Sequence, residues 1–238
     1  MIPPPPGLAE PRRRGGYPTW ADAGRRARVV FVGKGPEGSR AAVLAATAGG
    51  SAVPAPGGPA AARQVHSALV LDADSPGPAG EGDALVTATP GLALSVVTAD
   101  CVPVLVEAGD RVAAVHAGWR GIVAGVVGAT VDRLRGRGAP APSAWTAWIG
   151  PASGACCYEV GPEVAGEVGA ATSPAVVVPT AGRLHLDLAA AVAHQLAAAG
   201  VRDMRRVAAC TQCGEDLLWS YRREGRAAGR NHAFIWRW

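Results

Sequence analysis

The feature that most constrains this chain is residues 95–121, where two apolar segments flank a short polar turn. Residues 102–107 and 111–115 are each long enough and apolar enough for a strand, and Gly109-Asp110 lies between them. Two such segments around a Gly-Asp turn are typical of a β-hairpin. Another apolar segment, residues 92–98, comes just before them. The sequence therefore predicts three consecutive strands, of which the last two pair.

Side chains that bind metals or act as nucleophiles lie where these segments end. Cys101 follows the first segment and His116 ends the last one, while His66 ends a short segment upstream. Two imidazoles and a thiolate suit Zn²⁺ with a fourth position open to water or substrate, which is typical of catalytic zinc. Because 35 and 15 residues separate the three, only the fold can bring them together. This pattern predicts one metal site.

Two other interpretations use the same residues. Two histidines and one cysteine also form the equatorial set of a blue-copper site, which usually adds an axial methionine. The only internal methionine is Met204, and five histidines are too few for multicopper oxidase chemistry, so copper is possible but less favoured. Alternatively, Cys101 is a nucleophile that His116 activates, as in cysteine hydrolases. His66 favours the metal, since such a dyad needs no second imidazole.

The other cysteines carry a weaker signal. Cys210 and Cys213 have the spacing of half a zinc site or a redox pair, but Cys156 and Cys157 are adjacent rather than spaced. We therefore expect these four cysteines to be buried structural residues.

Composition and charge exclude several classes of protein. Residues 1–28 carry six arginines against Glu10 and Asp22, whereas residues 29–238 carry 17 basic and 17 acidic side chains. The body therefore lacks the charge of a nucleic-acid binder. There is no apolar run of 18 residues, which predicts no membrane span. An odd cysteine count without a secretory signal predicts a cytoplasmic protein.

The order of segments predicts the domain organisation. Residues 1–27 are rich in proline and arginine, which predicts a flexible leader, and residues 28–238 are expected to form a single domain. Strand-like and helix-like segments alternate without a regular βαβ order. This irregularity favours an α+β fold with mixed sheets.

Six segments of the chain form an ordered series of motifs: RQVH (63–66), DALVT (83–87), TADCVPVLV (98–106), HAGWRG (116–121), WIGPASGACCYEVG (148–161) and CTQCGEDLLWSYRREGRAAGR (210–230). In this order they resemble the motifs of the laccase-domain family, also called the peptidoglycan editing factor or YfiH-like purine nucleoside phosphorylase family. The resemblance implies that His66, Cys101 and His116 are zinc ligands. It also implies an α/β/β/α fold with mixed sheets.

The resemblance further implies the phosphorolysis of adenosine, inosine and methylthioadenosine, together with deamination of adenosine. We expect the protein to be a monomer. In that scheme Cys101 and His116 are catalytic, and Asp100 and Asp83 are the first candidates for proton transfer, with Glu159 behind them. Guanidinium groups suit bidentate phosphate binding. The candidates for this role are Arg63, Arg120, Arg222 and Arg230.

Two alternative functions stay open. The first is a hydrolase or amidase that uses Cys101 and His116 on peptidoglycan precursors, which the editing-factor name would suit. The second is a non-catalytic, zinc-containing regulator that binds nucleosides or a partner. Its support is a departure from the family pattern, since Lys34 stands where an arginine is expected.

Overall fold

The computed structural model describes residue 8, residues 10–49 and residues 54–238. This part of the chain forms sixteen strands and six α-helices. The elements up to the first helix are β1 (Arg12–Arg14), β2 (Tyr17–Ala23), β3 (Ala27–Val32) and α1 (Arg40–Thr47). The next are β4 (Ala60–Arg63), β5 (Val70–Asp72), β6 (Gly77–Glu81), β7 (Ala84–Thr87), β8 (Leu94–Thr98), β9 (Val102–Ala108) and β10 (Arg111–Ala117).

The second half of the chain contains most of the helices. Its elements are α2 (Trp119–Val123), α3 (Val126–Gly136), β11 (Thr146–Ile149), β12 (Glu159–Val160), α4 (Pro162–Ala171), β13 (Val177–Thr180), β14 (Arg183–Leu186), α5 (Leu188–Ala198), β15 (Asp203–Arg206), α6 (Tyr221–Glu224) and β16 (Asn231–Arg237). Three short 3₁₀ turns join some of them, at Pro142–Ala144, Pro174–Val176 and Gly225–Ala227.

The strands form three sheets. A seven-stranded sheet has the order β1-β2-β3-β16-β8-β4-β6, and a six-stranded sheet has the order β15-β11-β9-β10-β7-β5. Both are mixed, because β4 runs parallel to β6 and β8 in the first, and β11/β15 and β5/β7 are parallel pairs in the second. A small antiparallel sheet has the order β12-β14-β13. The predicted α+β fold with mixed sheets is confirmed.

The predicted hairpin is present. Strands β9 and β10 pair antiparallel from Arg111 opposite Ala108 to Ala117 opposite Val102. Gly109 in the turn has φ +71°, a conformation that glycine adopts without steric cost. The preceding strand, β8, belongs to the other large sheet. The chain therefore crosses between sheets just before β9, at the segment that carries Cys101.

Apolar side chains fill three layers around the two large sheets. One core lies between the sheets and includes Phe31 and Leu94 of the first with Leu105 and Trp148 of the second. The opposite face of the six-stranded sheet packs against α3 and α5. The outer face of the seven-stranded sheet packs against α1. Along β9 the side chains alternate between cores, as a strand buried on both faces requires. The layers are thus α/β/β/α.

The structure corrects the predicted leader over its described part. Strands β1 and β2 lie inside the stretch 1–27 that the sequence predicts to be flexible, and they pair with each other and with β3. A two-residue turn at Gly15-Gly16, where both glycines have positive φ, joins β1 to β2. Sequence reasoning missed this hairpin because the arginines of β1 do not form an apolar strand pattern. Residues 1–7 and 9 lie outside the described part of the chain.

Among the described residues, no helix is long and apolar enough to span a bilayer.

Candidate metal centre and its cavity

His66, Cys101 and His116 lie together, with one donor atom of each within 4.8 Å of the others. Cys101 Sγ is 3.9 Å from His66 Nε2, and the two imidazole rings meet edge to face with centroids 4.8 Å apart. A tetrahedral ion with Zn–S of about 2.3 Å and Zn–N of about 2.0 Å holds its sulfur and nitrogen ligands about 3.5 Å apart. The three side chains therefore fit a metal ion with only small adjustments.

His66 is placed by a tight turn after β4. Its φ is +61°, in the left-handed region that few non-glycine residues adopt. The turn wraps around the carboxylate of Asp83, which accepts hydrogen bonds from the backbone N–H groups of Val65 (3.2 Å), His66 (3.0 Å) and Ser67 (2.6 Å) and from the Ser67 hydroxyl (2.7 Å). Asp83 thus fixes the backbone turn that carries His66.

The same carboxylate orients the second histidine. His116 lies near the end of β10, and its Nδ1 is 2.8 Å from Asp83 Oδ1. Both side chains are buried. Because Nδ1 is engaged, Nε2 is the nitrogen left for a metal or a substrate. A carboxylate that holds a metal-binding histidine in this way fixes its tautomer and its ring orientation.

Without a bound metal, the side chains of this site shift one another's pKa values. Burial would raise the pKa of the Cys101 thiol, but its contacts with His116 and His66 outweigh burial and lower the pKa to about 7. Burial would lower the pKa of His116, but Asp83 and Cys101 raise it to about 9. Burial would also raise the pKa of Asp83, yet the hydrogen bonds from His116 and Ser67 hold it well below its usual range. The thiol is therefore readily available as a thiolate, which is the form that binds metals.

Cys101 follows Asp100, a residue with φ +93°. The Asp100 carboxylate accepts hydrogen bonds from the Thr211 hydroxyl (2.6 Å) and the Arg222 backbone N–H (2.7 Å), and its carbonyl accepts one from Ser153 N–H (2.9 Å). Asp100 therefore ties three distant segments to the crossing between the sheets.

Gly118 allows this close approach. A Cβ atom at residue 118 would stand 2.9 Å from Cys101 Sγ and 3.0 Å from His66 Cδ2, although the backbone, with φ −79°, would accept any residue. We expect Gly118→Ala to weaken the affinity for added Zn²⁺ by about 10–100-fold, because the methyl group displaces two donors. A zinc titration of the purified variant measures this.

Gly128→Ala is the matched control. Residue 128 lies in α3, where a Cβ atom would meet nothing within 4 Å and where φ is outside the positive range. This variant should keep the zinc affinity and gain about 0.5–1 kcal/mol of stability, as helical glycine-to-alanine changes do. Unchanged zinc affinity in Gly118→Ala would show that residue 118 does not shape the site.

The three donors open into a cavity of about 610 Å³. This volume is within the usual range for small-molecule sites. The lining side chains are a metal-binding set, arginines, aromatic rings and small residues: Arg40, Ala62, Arg63, Gln64, His66, Val97, Thr98, Ala99, Asp100, Cys101, His116, Trp119, Arg120, Tyr158, Tyr221, Arg222 and Arg230.

All four arginines proposed from the sequence line this cavity. Arg120 stacks on Trp119 at 4.4 Å, and Arg222 lies 4.7 Å from the centroid of Tyr158 while donating to the Glu159 carbonyl (3.0 Å). Arg63 pairs with Glu81 at the rim, and Arg230 donates to nearby carbonyls. The cavity thus places several cations around one space.

Sequence reasoning missed some of the lining. Arg40, the first residue of α1, reaches the cavity, although nothing in its local sequence marks it. Tyr158 and Tyr221 also line the cavity. They lie inside two of the sequence motifs, in which only the cysteines, the arginines and Glu159 stand out as candidates. Glu159 is outside the lining set, and its side chain is exposed and paired with Arg183. Lys34 is also outside it and pairs with Glu224 at 3.0 Å.

The remaining cysteines are not buried, which corrects the expectation that they are buried structural residues. Cys156 and Cys213 are exposed, Cys157 and Cys210 are half-buried, and the four sulfurs lie within 4.8 Å of one another. They form a second group that could hold a metal, outside the cavity lining.

Comparison with known proteins gives a consistent result. The family model described as multi-copper polyphenol oxidoreductase laccase matches residues 44–238. A purine nucleoside phosphorylase from Streptomyces coelicolor is 44% identical over 179 residues, which cover 73% of this chain and 72% of the relative. One from Deinococcus radiodurans is 43% identical over 175 residues, covering 72% and 67%. The crystal structure of YlmD from Geobacillus stearothermophilus superposes with a TM-score of 0.82 at 28% identity, covering 98% of this chain and 99% of YlmD.

Proposed function

The chain belongs to the multi-copper polyphenol oxidoreductase laccase family, whose members include YfiH-like purine nucleoside phosphorylases, and from this membership we propose that it is a zinc-dependent purine nucleoside phosphorylase. The observation that carries the proposal is the cavity, which puts a two-histidine, one-cysteine donor set beside five arginines and several aromatic rings. Its proposed substrates are adenosine, inosine and methylthioadenosine, together with phosphate. The monomeric state stays a prediction.

The oxidase chemistry in the family description fits the chain poorly. Multicopper oxidation needs several copper sites and many imidazole ligands. The chain has five histidines, and neither of the metal-binding groups found among the described residues holds more than two of them. Zinc suits the three donors of the cavity without demanding others.

Phosphorolysis requires an anion site next to the sugar. A phosphate oxygen attacks C1′ of the nucleoside while the C1′–N9 bond breaks, and the bonding pair leaves with the purine, which takes up a proton. Arg40, Arg63, Arg120, Arg222 and Arg230 line the cavity and can hold the phosphate by paired hydrogen bonds. Their fixed positive charge is present before the reaction starts, which favours the anionic nucleophile without reorganisation.

Aromatic side chains of the cavity suit the purine. Tyr221 is 52% exposed, a large fraction for an aromatic ring, and Trp119 and Tyr158 line the same space. Exposed rings at a cavity offer a stacking surface for a base. We propose that the purine packs against these rings while the ribose faces the arginines.

The metal ligands and their supports have separate roles. His66, Cys101 and His116 would hold zinc, which when bound acts as a Lewis acid that polarises a substrate oxygen or activates water. Asp83 orients the imidazole of His116 and holds the backbone turn that carries His66, and Asp100, next to Cys101 in the chain, holds the backbone of Arg222. Both carboxylates already accept several hydrogen bonds, which favours positioning roles for them. We also propose adenosine deamination as a second activity, in which one of these two carboxylates carries the proton.

One observation also favours a cysteine nucleophile. Donor atoms of Cys101 and His116 lie within 4.8 Å of each other. Burial would raise the pKa of the Cys101 thiol, but its contacts with His116 and then His66 lower it to about 7. A hydrolase or amidase that acts on peptidoglycan precursors could use this thiolate directly. Such an enzyme would keep its activity without metal.

The decisive experiment follows turnover before and after chelation. With adenosine and phosphate, we expect phosphate-dependent release of adenine, at least about 100-fold slower after zinc is removed and restored by added Zn²⁺. Chromatography of the products separates adenine from inosine, so phosphate-independent inosine reports deamination. Activity that survives chelation and is lost on thiol alkylation would support the cysteine nucleophile instead. Bound zinc without any turnover would support the regulator.

A further inference from the structure

The four cysteines outside the cavity come from two loops that lie side by side. Strands β11 and β15 are parallel neighbours, so their carboxyl ends meet at the same edge of the six-stranded sheet. The loop after β11 carries Cys156 and Cys157, and the loop after β15 carries Cys210 and Cys213. A bridge between Ala152 and Cys210 extends the parallel pairing into the loops. The backbone therefore brings together two cysteine pairs that are far apart in the chain.

The positions of the sulfurs match a tetrahedral ion. Cys213 Sγ is 3.6 Å from Cys156 Sγ and 3.3 Å from Cys157 Sγ, and all four sulfurs lie within 4.8 Å of one another. Four thiolates around one Zn²⁺ at about 2.3 Å are about 3.8 Å apart. A cluster of this size has room for one ion, and its donors are all sulfur.

The local backbone supports a thiolate at Cys210. Cys210 and Cys213 are separated by two residues in a turn that Gly214 N–H closes onto the Cys210 carbonyl at 2.9 Å. Gly154 N–H donates to Cys210 Sγ at 3.3 Å. A two-residue spacing in a turn, with backbone N–H groups donating to sulfur, is common at structural zinc sites.

We propose that Cys156, Cys157, Cys210 and Cys213 form a second zinc site, which is structural and separate from the cavity. The ion would bind with release of the thiol protons to solvent, and all four coordination positions would be filled by protein, leaving none for a substrate. This proposal does not depend on the phosphorylase assignment.

The position of the cluster gives the second ion a role. Thr211 lies inside the Cys210–Cys213 turn and donates to Asp100, next to Cys101. Tyr158 follows Cys157 directly and lines the cavity. Clamping the two loops would therefore fix one wall of the cavity and the support of its thiolate ligand.

The test counts metal in three proteins purified with zinc. Mass spectrometry of the metals should find about two zinc ions per wild-type chain. Cys213→Ser should keep about one, in the cavity, and His66→Asn should keep about one, in the four-cysteine cluster. Because His66→Asn leaves the cluster intact, it tests the proposal even if Cys213→Ser fails to fold.

Cobalt(II) in place of zinc identifies the ligands of each retained ion. In His66→Asn the cobalt should have four thiolate bonds, whereas in Cys213→Ser it should have one. The thiolate-to-cobalt absorbance per ion should therefore be about fourfold larger in His66→Asn. About one zinc per wild-type chain, with the four thiols found as disulfides by mass, would overturn the proposal. Iron in place of zinc would overturn the metal assignment.

Discussion

His66→Asn should remove the cavity metal and reduce phosphorolysis of adenosine by at least about 10³-fold. The variant loses one of three protein ligands, and the transition-state stabilisation that a metal supplies is several kcal/mol, which corresponds to about this factor in rate. Asparagine is the right replacement because residue 66 has φ +61°, and asparagine tolerates the left-handed region better than alanine does. Steady-state rates and metal content of the same preparation measure both effects.

His194→Asn is the control for this experiment. His194 is a half-buried histidine on α5, away from the cavity lining, and the same change there should leave both metal content and rate near wild type. The cysteine-nucleophile alternative makes a different prediction, since a Cys101–His116 dyad does not need His66. Substantial turnover in His66→Asn that has lost the cavity metal would therefore refute the zinc mechanism and leave the thiolate as the reactive group.

Local sequence patterns are sufficient for the elements that carry the donors. Residues 102–107 and 111–115 are apolar segments around a Gly-Asp turn, and this information is contained in about fifteen consecutive residues. The hairpin of β9 and β10 has this arrangement. The candidate metal ligands can be named for a similar reason, because each stands where an apolar segment ends.

Contacts between distant segments cannot be read from the sequence. The adjacency of Cys156 and Cys157 argues against a metal site, yet the parallel pairing of β11 and β15 sets this pair opposite Cys210 and Cys213. Parallel pairing depends on long-range packing and leaves no local spacing rule. Arg40 escapes sequence reasoning for the same reason, since only the packing of α1 on the seven-stranded sheet brings it to the cavity.

The sequence also underestimates how much of the site is supporting structure. Asp83 and Asp100 are candidate proton carriers because they lie beside the donors in the motifs. In the fold each accepts hydrogen bonds from segments far apart in the chain, which a linear motif cannot show. Whether either carboxylate also moves a proton stays a prediction, and Asp83 is the sharper case to test.

Asp83→Asn should lower the free energy of unfolding by about 3 kcal/mol and weaken zinc binding by about 10–100-fold. The fully buried carboxylate accepts from His116 Nδ1, from three backbone N–H groups and from the Ser67 hydroxyl. An asparagine presents N–H₂ where one oxygen was, so donors would face donors and part of the group would be unsatisfied. Breaking a buried charged pair costs about 3–5 kcal/mol, and loss of a carboxylate behind a metal-binding histidine costs about 10–100-fold in metal affinity.

Asp72→Asn is the control for Asp83→Asn. It shows how much stability is lost when a paired aspartate at the surface, rather than a buried one, is replaced. Asp72 pairs with Arg133 and Arg137 at the surface, outside the cavity lining, and such exposed pairs contribute about 0–1 kcal/mol. Urea unfolding should therefore show a small change for Asp72→Asn and a large one for Asp83→Asn. Zinc titration without urea, at a temperature where both variants are folded, completes the comparison. If Asp83→Asn is destabilised yet binds zinc as tightly as wild type, Asp83 supports the fold alone, and the orientation of His66 and His116 must come from the segments that carry them.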